Sequence, residues 1–142
     1  MLRRFATLDA RKRKLVASAL GWVLAARATL RIGARSFPKQ QRRLDWLAAR
    51  LPTLSWCTVD EASWAITAAA RRVPGTRCLA WSLALRGLLA QAGVGSELRI
   101  GVAASEPGTI KAHAWVESAG RIWSWGGDVD GYNLLRPRGL AR

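Results

Sequence analysis

At Gly95 the spacing of apolar residues changes from helical to alternating, and this switch orders the chain as helices first and sheet second. Ahead of it, Leu15, Ala19, Trp22, Val23, Ala26 and Leu30 recur at three- and four-residue intervals, which predicts a long helix over 8–34. Gly33 and Ser36-Phe37-Pro38 end it. A second helix, 38–50, carries Leu44, Trp46 and Leu47 and stops near Leu51-Pro52. A third, 59–71, runs through Trp64, Ile66 and Ala68 to Ala70, with Thr58 or Asp60 as its cap. Pro74-Gly75 then breaks the chain before a fourth, 77–91, which closes at Gly93.

Beyond the switch, Leu98, Ile100 and Val102 alternate with Glu97, Arg99 and Gly101, the pattern of a half-buried strand. Ser105 to Gly108 reads as a turn or loop. Ile110, Ala112, Ala114 and Val116 alternate with Lys111, His113, Trp115 and Glu117, and Ala119-Gly120 turns the chain into Arg121-Ile-Trp-Ser-Trp. With no repeats and no low-complexity segment, the plan is α+β. At 142 residues, half of them hydrophobic, the chain can bury one core and should form one compact domain. Within it, 1–55 reads as a basic helical hairpin and 56–142 as the part that carries the chemistry.

The basic residues are unevenly placed. Of a net charge of +14, the first 50 residues hold +11, from 13 basic and 2 acidic side chains. This predicts a docking surface for an acidic protein or an anionic membrane surface, or else a plain solvated basic face. No nucleic-acid partner is expected, because the tryptophans sit in apolar contexts and no recognition motif appears. Arg11-Lys-Arg-Lys followed by twelve apolar and small residues imitates a signal peptide, but that run is too short to span a bilayer. Basic residues resume at Arg27, Arg31 and Arg35 on the same helix, so a core or amphipathic helix is the expectation.

Cys57 and Cys78 form neither a disulfide framework nor a metal-ligand spacing, and with one histidine in the chain no metal site or cofactor is expected. A reduced, cytoplasmic setting fits. If Thr76 caps the fourth helix, Cys78 sits in its first turn, where unpaired N–H groups and the positive end of the dipole favour thiolate over thiol. Those N–H groups could also hold an oxyanion. His113, the only histidine, follows on a strand, on the face opposite the apolar one. Each has an ordinary structural reading, a small buried hydrophobe for the cysteine and a packing residue for the histidine. Together they form the nucleophile and base of acyl-transfer chemistry. Cys57 has no such placement and reads as structural.

A third group should orient the imidazole. A two-residue loop at Ala119-Gly120 sets His113 against Gly126 and makes Asp128 its diagonal neighbour, with Asp130 one pair further on. A three-residue loop would put Trp125 there instead. Asp128-Val-Asp130-Gly131 is also an ordinary turn signal.

Cys78-Leu-Ala-Trp-Ser-Leu-Ala-Leu, Gly95-Ser-Glu-Leu-Arg-Ile-Gly-Val, Ala112-His-Ala-Trp-Val-Glu and the Gly-Arg turn together resemble the lasso-peptide leader peptidases, a branch of the transglutaminase-like superfamily. The resemblance covers about residues 74–135. It implies a papain-like cysteine protease fold, with a small antiparallel sheet packed on the cysteine helix. It also implies an activity, removal of the leader from a ribosomally made precursor peptide before a separate cyclase closes the lasso ring. Cys78 matches the nucleophile, His113 the general base and acid, and Asp128 or Asp130 the acidic residue after the following strand. The residue three after the cysteine, often Arg in relatives, is Trp81 here. Helices from residue 8 are unlike a fused leader-recognition domain, so the chain resembles the split form that works with a separate recognition protein. The alternatives are an amidase or acyl transferase with the same residues acting on another amide, and a basic binding module without catalysis.

Overall fold

The computed structural model describes residues 7–32, 37–126 and 128–135. Four helices precede four strands: α1 Ala10–Ile32, α2 Phe37–Arg50, α3 Val59–Ala70, α4 Cys78–Gln91, β1 Glu97–Glu106, β2 Thr109–Ser118, β3 Arg121–Trp123 and β4 Asn133–Leu134. The expected end of α1 at Gly33 to Ser36, and the basic residues Arg3, Arg4 and Arg35, lie outside the described residues.

Local chemistry explains the boundaries. Asp9 Oδ1 accepts the Lys12 N–H at 2.7 Å and so starts α1. Of the two candidates for α3, Thr58 is the cap. Its side chain accepts the Glu61 N–H and the Glu61 carboxylate accepts the Thr58 N–H, a reciprocal capping box. Those bonds hold the Glu61 carboxyl below its ordinary range. At the end of α4, Gly93 takes φ +76°, so that its N–H reaches Ala90 O and the Val94 N–H reaches Leu89 O.

Helix α4 is apolar nearly all round, from Ala80 to Leu89, and therefore sits at the centre. Helices α1, α2 and α3 and strand β2 all pack on it. Leu15, Ala19, Trp22, Val23 and Ala26 of α1 share one core with Leu83, Leu85, Leu88 and Leu89 of α4. The signal-peptide-like run thus supplies the buried face of a core helix, with Leu20 and Leu24 left exposed, and no helix of the described residues is long and apolar enough to cross a membrane. Asp45 of α2 meets Arg86 of α4 through two hydrogen bonds, 2.7 and 3.1 Å. Trp46 and Trp64, at expected helical positions, are instead 58% and 47% exposed, and Arg50 lies 3.6 Å over the Trp46 ring.

The sheet is antiparallel in the order β3-β2-β1-β4. Ala119 and Gly120 both have positive φ, the two-residue turn expected, and they fix Ser118 opposite Arg121 and Val116 opposite Trp123. Val116, Leu98 and Trp123 face the core. Two differences from the alternation pattern stand out. The first hairpin extends to Glu106 and Thr109, leaving only Pro107-Gly108 as the turn. The short β4 on the far edge of β1 has no alternation long enough to announce it.

Candidate active site

Cys78 is the first residue of α4 and is half-buried. Thr76 is not the cap, because its hydroxyl donates to Val73 O at 2.8 Å. Arg77 occupies the cap position with extended backbone (φ −116°, ψ 175°) and no side-chain cap bond. The first intrahelical bond runs from Trp81 N–H to Arg77 O, so the N–H groups of Cys78, Leu79 and Ala80 have no partner within the helix. Their partial positive charge, at the end of the helix dipole, acts where the thiol sits. Trp81 points elsewhere. It is buried, and its Nε1–H donates to Thr67 Oγ1 at 3.1 Å, joining α4 to α3.

His113 is only 8% exposed. Strand alternation turns it away from the Val116 side of β2, but the ring does not point into solvent. Trp115 stacks near it with centroids 6.2 Å apart, and Tyr132 covers it at 5.5 Å. Its Nε2 lies 2.7 Å from Ser124 Oγ. Nδ1 makes no hydrogen bond among the described residues.

Gly101 faces His113 across the β1–β2 ladder. A Cβ there would come within 2.7 Å of the Trp115 ring and 2.8 Å of Tyr132 Cβ. Gly101→Ala is therefore expected to displace these rings and cost about 1–3 kcal/mol of stability by overpacking. Denaturant unfolding and the His113 ring NMR signals would measure both effects, and an unshifted imidazole spectrum would contradict the packing described.

Ser118, ending β2, donates to Gly95 O at 2.8 Å, just beyond the Val94–Leu89 closure of α4, and so ties the end of that strand to the end of the helix packed against it. No hydrogen bond joins the Cys78 thiol to His113 among the described residues.

The expected acid is not brought to the ring. Pairing of β3 ends at Trp123, so the register that would carry Asp128 to His113 is not continued. Asp128 is exposed, and its Oδ1 accepts the Asp130 N–H at 3.1 Å, the turn chemistry of that sequence. Asp130 is exposed as well, and neither carboxylate bonds to His113 among the described residues. Ser124 and Tyr132 take the places around the ring. Ser124 was legible, since it shares the parity of His113 in the same hairpin count; Tyr132 carried no signal. Among the described residues no group of three or more His, Cys, Asp or Glu stands where it could hold a metal ion.

Cys57 differs from Cys78 in kind. Burial, followed by the nearby Glu61 carboxylate, pushes its thiol up from about 9 to about 11, against the opposing pull of Arg11. Alkylation near neutral pH is expected to label Cys78 far faster than Cys57, as peptide mapping would show. Faster labelling of Cys57 would contradict the assignment. Because its folded-state value is raised, Cys57 contributes stability that is fully present below about pH 9 and is lost as pH rises through about 11. Cys57→Ala should flatten the fall in stability over that window relative to the wild type.

The model of the Transglutaminase-like superfamily matches residues 11–136, from the start of α1 to just past β4. No curated protein and no solved structure matches the chain.

Proposed function

From the premise that the chain belongs to the transglutaminase-like superfamily, whose members are generally cysteine hydrolases or acyltransferases, we propose that it is a cysteine peptidase that removes the leader from a ribosomally made lasso precursor peptide. The observation that carries this reading is the uncapped start of α4 at Cys78, in a fold where the only histidine of the chain, His113, is on the strand packed against that helix. In the reaction, Nδ1 of His113 takes the thiol proton and the Cys78 thiolate attacks the carbonyl at the leader's end. The Cys78 to Ala80 N–H groups stabilise the oxyanion, and the protonated His113 gives its proton to the departing amine of the core peptide. Water, deprotonated by His113, then releases the leader acid and restores the thiol. Thiol–imidazole contacts of this kind are often long without substrate and tighten in the complex.

The basic surface of the front helices is the proposed docking side for a separate leader-recognition protein and a cyclase. Lys12, Arg13 and Lys14 are exposed. Arg11 is exposed too, but its guanidinium is engaged locally, donating to Trp56 O at 2.7 Å and lying 4.5 Å over the Trp56 ring. The deciding experiment incubates the purified chain with leader-bearing precursor peptides, with and without the recognition protein, and reads the products by mass. Release of a defined N-terminal fragment supports the peptidase. A product carrying an added amine in place of water would reassign the chain to acyl transfer, and no change with any peptide would sink the proposal.

A further inference from the structure

We infer that the hydroxyl of Ser124, rather than a carboxylate, orients the imidazole of His113; as a statement about catalysis this rests on the reading of His113 as the base. The ring is fixed in its slot by Trp115 and Tyr132, so the side on which Ser124 stands decides which nitrogen is left to act. Ser124 Oγ lies 2.7 Å from Nε2, and Ser124 directly follows Trp123, whose pairing with Val116 anchors the position. Both nearby carboxylates are on an exposed turn, one of them bonded within it.

A hydroxyl can donate or accept, so the pair has two arrangements. Only one suits a base at Nδ1, namely Nε2 carrying the proton and donating to Ser124 Oγ. When Nδ1 then takes the Cys78 proton, the ring becomes cationic and the Nε2–H bond to Oγ becomes charge-assisted and stronger. Ser124 thereby acts through His113 as a positioning residue and touches no reacting atom.

The single histidine makes the test direct, because nitrogen-15 NMR of the imidazole reports one ring only. With the ring neutral, the wild type should show the Nε2–H tautomer, and an Nδ1–H tautomer would overturn the inference before any variant is made. Ser124→Ala should mix the tautomers, slow Cys78 alkylation and lower kcat for precursor cleavage about tenfold, the loss of one hydrogen bond. Ser124→Thr, which keeps the hydroxyl, should restore all three. Asp128→Ala and Asp130→Ala should leave the tautomer unmoved; a shift in either matching that of Ser124→Ala would return the role to a carboxylate. Ser124→Gly reads the same loss should Ser124→Ala fail to fold. If the tautomer responds as stated but the wild type cleaves no precursor, the peptidase reading fails while the orienting bond stands.

Discussion

Cys78→Ala is expected to abolish precursor cleavage, by about 10⁴-fold or more, while the protein stays folded. The size follows from chemistry, since without the sulfur there is no covalent intermediate, and loss of a nucleophile removes the contribution of the base that serves it. The retained fold follows from structure. Cys78 is half-buried at a helix start and its thiol makes no hydrogen bond among the described residues, so alanine there should change stability by about 1 kcal/mol or less. Cys57→Ala should behave in the opposite sense, lowering stability through a lost core contact and leaving cleavage intact, because Cys57 is buried in the shared core. Product mass and thermal unfolding of the two variants side by side separate the roles. Full activity in Cys78→Ala would remove the chain from cysteine catalysis altogether.

The part of this site that was legible in the sequence is the part fixed by short-range rules. Hydrophobic period placed Cys78 at a helix start and His113 on the polar-parity face of a strand, and the positive-φ pair Ala119-Gly120 set the register that holds Val116 against Trp123. Hairpin counting went wrong only where it was extended past the end of pairing. Continued five positions beyond Trp123 it pointed to Asp128; applied to the first residue after Trp123 it points to Ser124, the side chain that meets the ring. Register decays once ladder bonds stop, and Gly126, at φ +86°, bends the chain between the two. The capping error at Thr76 has a similar origin. Its hydroxyl had a closer acceptor in the Val73 carbonyl of the preceding turn, and local side-chain to backbone bonds compete with caps. Tyr132 and β4 depend on where a loop returns to the sheet, which no local pattern encodes.

Besides the exposed basic surface proposed for docking, the front third presents a buried face that makes it part of the scaffold of the cysteine helix, and Trp22→Ala should reveal this. The Trp22 ring is 2% exposed and presses on α4 at Gly87, where a Cβ would come within 2.4 Å of it. Its Nε1–H donates to Gln91 Oε1 at 2.9 Å. Gln91 Nε2 in turn donates to Pro52 O at 2.9 Å, and the Gln91 carbonyl accepts the Leu54 N–H at 3.1 Å. One side chain of α1 thus holds the end of α4 and the linker between α2 and α3. Truncation should cost about 3–5 kcal/mol, the range for a buried aromatic replaced by alanine. That is a large share of a typical total of about 5–15 kcal/mol. Trp22→Phe, which keeps most of the ring but leaves the buried Gln91 oxygen without its donor, should cost about 1–3 kcal/mol. Chemical denaturation measures both. If α1 were a separable docking arm, Trp22→Ala would leave the unfolding midpoint unchanged; if it is scaffold, the midpoint falls and activity at Cys78 falls with it, because the helix that positions the thiol loses the surface it rests on.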